Sequence, residues 1–153
     1  MAEDDKVGNK LRIKDTSNIQ LEDIRAFMLD NLTTTNVLGT DYYFSDEEIE
    51  EAIRRMIMSY NGIPPYNFTM TYGNLRLNDI VLYGVAYQLC ITKLMALQRK
   101  DVTYNSGGSS IQTVAAQIRH LTQMMQLFKQ EFETRVLQQK RSANMLNAFG
   151  HYL

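Results

Sequence analysis

Few residues in this chain could do chemistry, and their spacing does not bring them together. Cys90, the one cysteine, lies in the most apolar stretch of the sequence, where a thiolate is disfavoured; it reads as a small core residue. A nucleophile also needs a base within hydrogen-bond reach. His120, beside Arg119 in a long helical pattern, reads as a solvated or structural side chain, and His151 stands near the C-terminus. One cysteine and two histidines cannot build a structural zinc site or a disulfide framework. The acidic run Asp46, Glu47, Glu48, Glu50 and Glu51 has the donors of a metal site. It opens a helix, however, where carboxylates relieve the dipole, and no Glu-x-x-His pair supports a carboxylate-bridged metal. Tyr104-Asn-Ser-Gly-Gly-Ser109 imitates a phosphate loop without its Gly-Lys-Ser/Thr ending; a helix–helix connection or a protein contact fits it better. Asn31-Leu-Thr33 and Asn67-Phe-Thr69 match glycosylation sequons, which read as chance without a secretory signal. The expectation is a protein that is not an enzyme and uses neither cofactor nor metal.

Basic residues cluster thinly, at Lys93, Arg99 and Lys100 and again at Lys140 and Arg141. A duplex-reading surface needs many more phosphate contacts, so DNA is expected at most to pass by, unread. The charge distribution says more. Residues 1–51 hold 13 Asp/Glu against 5 Lys/Arg, a net of -8; residues 52–153 hold 4 against 11, a net of +7. Two differently solvated regions of one fold would explain this. So would an acidic front and a basic back that steer copies head to tail.

The elements around these residues are helical. The chain has 153 residues, 44% hydrophobic and 22% charged, enough for one domain with a real core. No apolar run approaches the roughly 18 residues a membrane helix needs; the longest candidate, Ile80–Leu97, is broken by Gly84, Gln88, Thr92 and Lys93. The acidic start Met1-Ala-Glu-Asp-Asp-Lys6 is not a secretory signal, and no membrane partner is expected. Residues 1–18 read as a flexible arm, with Val7, Leu11 and Ile13 as anchors. Ile19, Ile24, Phe27, Met28 and Leu32 share a stripe, predicting a helix near 19–32 with Asn18 as its cap. Residues 33–41 read as a loop.

Ser45-Asp-Glu-Glu48 is the clearest local signal. It fits a capping box, with Phe44 and Ile49 as a hydrophobic staple. The stripe Ile49, Ala52, Ile53, Met56, Ile57, Tyr60 predicts a helix over 45–60, ended by Asn61-Gly62 and Pro64-Pro65. Tyr66, Phe68, Met70 and Tyr72 alternate as a strand would, but with no partner strand in sight an extended loop over the helices is the better reading. Residues 78–99 form the most apolar helix, apolar on more than one face and so expected at the centre. Gly84 inside it costs about 1 kcal/mol against alanine, and close helix packing would explain it. A last stripe from Ile111 through Val114, Ile118, Leu121, Met125, Phe128 and Phe132 to Val136 predicts a helix over 110–141. At 1.5 Å per residue it spans about 45 Å, longer than a small domain is wide, with glutamines outward. The stripe then lapses, and residues 142–153, with Met145, Leu146, Phe149, Tyr152 and Leu153, read as a docking tail.

From Tyr42 to about Asn144 the order of features resembles the head–tail connector (adaptor or neck) proteins of tailed bacteriophages. The carriers are Tyr43-Phe-Ser-Asp-Glu-Glu-Ile49, Tyr60-Asn-Gly-Ile-Pro-Pro65, Thr71-Tyr-Gly-Asn-Leu75, Gly84-Val-Ala-Tyr87, Gln98-Arg-Lys-Asp-Val-Thr-Tyr-Asn-Ser-Gly-Gly108 and the glutamine-rich helix. The resemblance implies a structural virion protein, made in the host cytoplasm, whose copies form a ring, usually twelvefold. That ring would sit at the portal protein, extend its DNA channel and meet the next neck or tail protein. A ring needs two different faces on each copy, which the charge split can supply. The alternatives are a tail-completion or terminator ring subunit and, from a different class, a small helical regulatory binding module. The fold expected is all-α, a bundle of about four helices: arm 1–18, helical domain 19–141 and tail 142–153. Tyr104, Asn105, Phe149, Tyr152 and Leu153 are the expected protein-interface residues, since aromatics in exposed segments make good anchors; Tyr104 packing its own loop onto the core is the competing account.

Overall fold

The computed structural model describes residues 19–28, 43–66, 68–101 and 111–150, with backbone alone at 100–101, 111–114 and 147–150. Within them lie four helices, α1 (Leu21–Phe27), α2 (Asp46–Gly62), α3 (Asp79–Asp101) and α4 (Ile111–Gly150), and a single 3-10 turn over Tyr72–Asn74. No strand occurs among the described residues. The fold is the expected all-α bundle with a long C-terminal helix. Expectations placed on the arm 1–18, on Asn18 as the cap of the first helix, on residues 29–32 of that helix, on the loop 33–41 and on the loop 102–110 lie outside the described residues.

α2 forms as its residues dictate. The Ser45 hydroxyl accepts from the Glu48 amide at 3.1 Å, and the Glu48 carboxylate accepts from the Ser45 amide at 3.0 Å. That reciprocal pair satisfies two N–H groups at a helix start that would otherwise lack partners. All six residues of its stripe are buried. Phe44 and Ile49 join the same core. Past Gly62 the chain turns through the cis Pro64–Pro65 bond and lies extended, as the loop reading held. The Asn61 side chain pins this loop as a strand partner would. Its amide donates to the Met70 carbonyl at 2.9 Å, and its oxygen accepts from the Met70 amide at 2.8 Å. Met70 is buried while Tyr66 and Phe68 face outward.

α3 touches all three other helices. Asn78 caps it, accepting from the Val81 amide at 3.0 Å. An 18-residue window within Asp79–Arg99 has a mean hydropathy of 1.6, so by length and composition this helix is apolar enough to cross a membrane. Interruption by Gln88 and Lys93 did not lower the average that far, but the apolarity goes to the core: Val81, Val85, Ala86, Leu89 and Cys90 are buried. Gly84 marks the tightest point. A Cβ there would sit 2.4 Å from Met56 Cγ on α2 and 2.7 Å from Phe132 Cε2 on α4. Three helices converge on that one missing methyl, the close packing expected of it.

α4 runs antiparallel to α3, with Arg135 against Asp79 at 3.0 Å and Phe132 against Gly84. It does not end at 141. Forty residues carry it to Gly150, about 60 Å. The apolar stripe stops near 140, but Ala143, Met145 and Leu146 still favour helix and no glycine or proline intervenes before Gly150. α1 is shorter than expected, starting after Gln20, with no side-chain cap bond. Ile19 and Ile24 are buried as their stripe required. Arg25, itself buried, bridges α1 to the start of α2, donating to the Phe44 carbonyl and to Asp46, each at 2.6 Å.

Candidate functional site

The end of the bundle where α2 stops and α4 runs on carries the candidate site. Lys140 builds it. It falls four residues after Val136 and eight after Phe132, on the inward face of α4, and it is fully buried. Its ammonium donates to the Tyr60 carbonyl at 2.8 Å and to the Ile63 carbonyl, and it stands 4.6 Å above the Tyr60 ring. The last carbonyls of a helix lack intrahelical partners and carry partial negative charge, so a cation there is doubly favoured. Burial pushes the Lys140 pKa below the ordinary lysine value. The Tyr60 hydroxyl returns the link by donating to Gln139 at 2.9 Å. α4 is thus bolted to the end of α2, and its last turns, residues 142–150, run on past that bolt.

Large exposed apolar side chains gather here. Tyr66, Phe68 and Leu77, from the loop between α2 and α3, and Met145 and Leu146, from the projecting turns, make five of the nine such side chains among the described residues. Met145 is 62% and Leu146 73% exposed. Single exposed apolar residues are ordinary; these five belong to the two elements that meet at one end, which makes that end the candidate contact surface. Phe68 is held against Tyr60, ring to ring at 6.4 Å. Arg76 and Arg141, both exposed, belong to no ion pair among the described residues. An open depression of about 360 Å³ beside them is lined by Asn78, Asp79, Ile80, Arg135, Gln138 and Gln139. The Arg135–Asp79 pair spans it, so its polar groups serve the helix joint.

The other chemistry-bearing residues are accounted for individually. Cys90 is buried, and burial alone pushes its thiol up to about 11. His120 is exposed on α4. The acidic start of α2 is largely paired in place: Asp46 with Arg25, Glu48 with Lys93 at 3.3 Å, Glu51 with Arg54 and Arg55. The hydrogen bond from Arg54, joined by one from Arg55, holds the Glu51 carboxyl down to about 2. Among the described residues no three His, Cys, Asp or Glu side chains gather as metal ligands would.

Each of the two basic clusters of the sequence gives up a lysine to an internal contact. Lys93 reaches back to Glu48 and over the Tyr43 and Phe44 rings at 4.8 and 5.2 Å. Lys140 points inward, leaving Arg141 as the surface cation of its pair. Of the expected interface residues, Tyr104, Asn105, Tyr152 and Leu153 lie outside the described residues. Phe149 lies on the last turn of α4, its side chain outside the described part. Met145 and Leu146, in the expected tail, are the ones the structure places on the exposed end. Sequence reading missed the roles of Lys140, Arg25 and Asn61. For Lys140 a signal existed, the four-residue step from Phe132 through Val136.

Comparison with protein-family models, with curated proteins and with solved structures gives no match. The functional reading therefore rests on this chain's own residues.

Proposed function

We propose that the chain is a structural subunit of the neck of a tailed-phage virion, whose copies form a ring, twelvefold in the family it resembles, at the head–tail junction. The ring would seat on the portal protein, continue its DNA channel and present a surface to the next neck or tail protein. The observation that carries this reading is the form of α4. A helix of about 60 Å, bolted by Lys140 to a body whose α2 spans only about 25 Å, would supply a wall element and a surface for a neighbour. The order of motifs from Tyr42 to Asn144 supports the same role. So does the internal use of Lys93 and Lys140, which takes two cations away from any surface that passing DNA would meet.

The test is to mix the purified protein with the portal ring of the same genome and image the mixture by electron microscopy, with the protein alone as control. A ring docked on the portal is the expected result, and its symmetry gives the copy number. Docking to tail-tube ends instead would move the protein to the tail side as a completion or terminator subunit. A stable monomer that docks to neither would remove the virion role and leave a small helical regulatory binding module as the reading.

A further inference from the structure

The two ends of α2 differ in the charge they leave unpaired. Near its start, Asp46, Glu48 and Glu51 are neutralised by cations of the same chain. Glu47 and Glu50 on α2, and Glu22 and Asp23 in the first turn of α1, have no ion-pair partner among the described residues. Arg25 ties α1 to the start of α2 through Asp46, so the four carboxylates share one corner. At the far end of α2 the unpaired groups are guanidinium, Arg76 and Arg141, set among the exposed Leu77, Met145 and Leu146. One corner is anionic and polar; the opposite end is cationic and apolar.

We infer that this chain associates head to tail with a second copy, the projecting end of α4 with Arg141, Met145 and Leu146 seating on the neighbour's acidic corner around Glu47 and Glu22. Like ends repel, which disfavours a two-fold pair through either end; unlike ends attract, which selects the heterologous contact that rings require. The charges set orientation and rate of encounter, and Met145 and Leu146 add affinity by covering the half-exposed Tyr43 ring beside that corner. The inference deepens the ring reading and names the faces it would use.

Disulfide trapping tests it. Glu47 and Ser142 lie at opposite ends of α2, about 20 Å apart along its axis, too far for a bridge within one chain, which needs Cα atoms within about 7 Å. The variant Glu47→Cys with Ser142→Cys, oxidised at low salt, is expected to give a ladder of dimers, trimers and higher species. Each single-cysteine variant should stay monomeric, as should the wild type with Cys90 alone. Adding Met145→Ser with Leu146→Ser should reduce the ladder at least tenfold while circular dichroism stays unchanged. With the trapping cysteines kept at 47 and 142, Arg76→Glu with Arg141→Glu should abolish it, and mixing that chain with one carrying Glu22→Lys and Glu50→Lys should restore it. Dimers from the single variants, or no ladder from a folded double variant, would overturn the head-to-tail contact. A ladder without docking on the portal keeps the contact and removes the neck role; a ring on the portal without a ladder does the reverse.

Discussion

α3 and α4 lie side by side along most of α3, yet the two halves of the pair are built differently. Around Gly84 they share a third neighbour, α2. Met56, Val85, Phe132 and Val136 are all but sealed from solvent there. From Leu94 towards Arg99, and on α4 from Ala115 to Phe128, no described residue is buried. Leu94, Leu97, Ile118, Leu121 and Phe128 are half-buried, and Met95 and Leu127 stand more than half exposed. The hydrophobic spacing is as regular in one half as in the other. What differs is how far a third element covers the seam: α2 seals one half, whereas in the other α1 reaches only the Phe128 end, through Phe27 at 6.1 Å ring to ring, so an apolar stripe reports where a helix wants to be covered and not how fully the fold covers it.

Mutations can break this contrast, and the largest effect belongs at the sealed half. Phe132→Ala is expected to cost about 3–5 kcal/mol in urea unfolding, because the ring fills the gap between α2 and α3 and the site cannot collapse around a void. Labelling of Cys90, slow in the native chain because the thiol is buried and hard to ionise, should accelerate in the same variant. Lys140→Met should cost about 1–3 kcal/mol, since the Tyr60 and Ile63 carbonyls lose their donor. The pH dependence has a definite sign. The folded Lys140 pKa lies below its unfolded value, so the unfolded chain binds more protons between the two. Stability of the wild type relative to Lys140→Met should therefore rise as pH climbs towards 10, measured below the range where Tyr60 begins to ionise.

Smaller effects sharpen the contrast. Gly84→Ala gains about 1 kcal/mol of helix propensity but drives a methyl into Met56 and Phe132, and overpacking of that kind costs about 1–3 kcal/mol. The net expectation is a loss of about 1 kcal/mol in thermal or urea denaturation. A gain instead would mean the three-helix joint yields more easily than its distances say. Ser45→Ala should cost about 1 kcal/mol through loss of the cap, read by the same unfolding curves. Leu121→Ala, at the two-helix half, should cost under about 1 kcal/mol, because the side chain is already partly in water and can collapse onto its neighbours. A loss as large as that of Phe132→Ala would show that the open half is covered as tightly as the sealed one.

Much of this architecture could be read from residue order. The capping box at Ser45, the buried face of α2, the loop in place of a strand after Pro65, the core setting of Cys90 and the reason for Gly84 all follow from spacings within a few residues. Of the candidate site, the apolar character of the tail was legible through Met145 and Leu146. Its bolt was not, because Lys140 looked like one of two surface cations when its only visible company was Arg141.

The sequence by itself determined the helices and their inward faces, because propensity, capping and periodicity act over one to five residues. Tertiary structure alone decided what covers those faces. It set Lys140 inside against the end of α2, spent Lys93 on Glu48, left half of the α3–α4 seam open and let α4 run on to Gly150. Each of those outcomes depends on groups tens of residues apart in the chain, 45 between Lys93 and Glu48 and 80 between Lys140 and Tyr60. Local spacing carries no record of such partners.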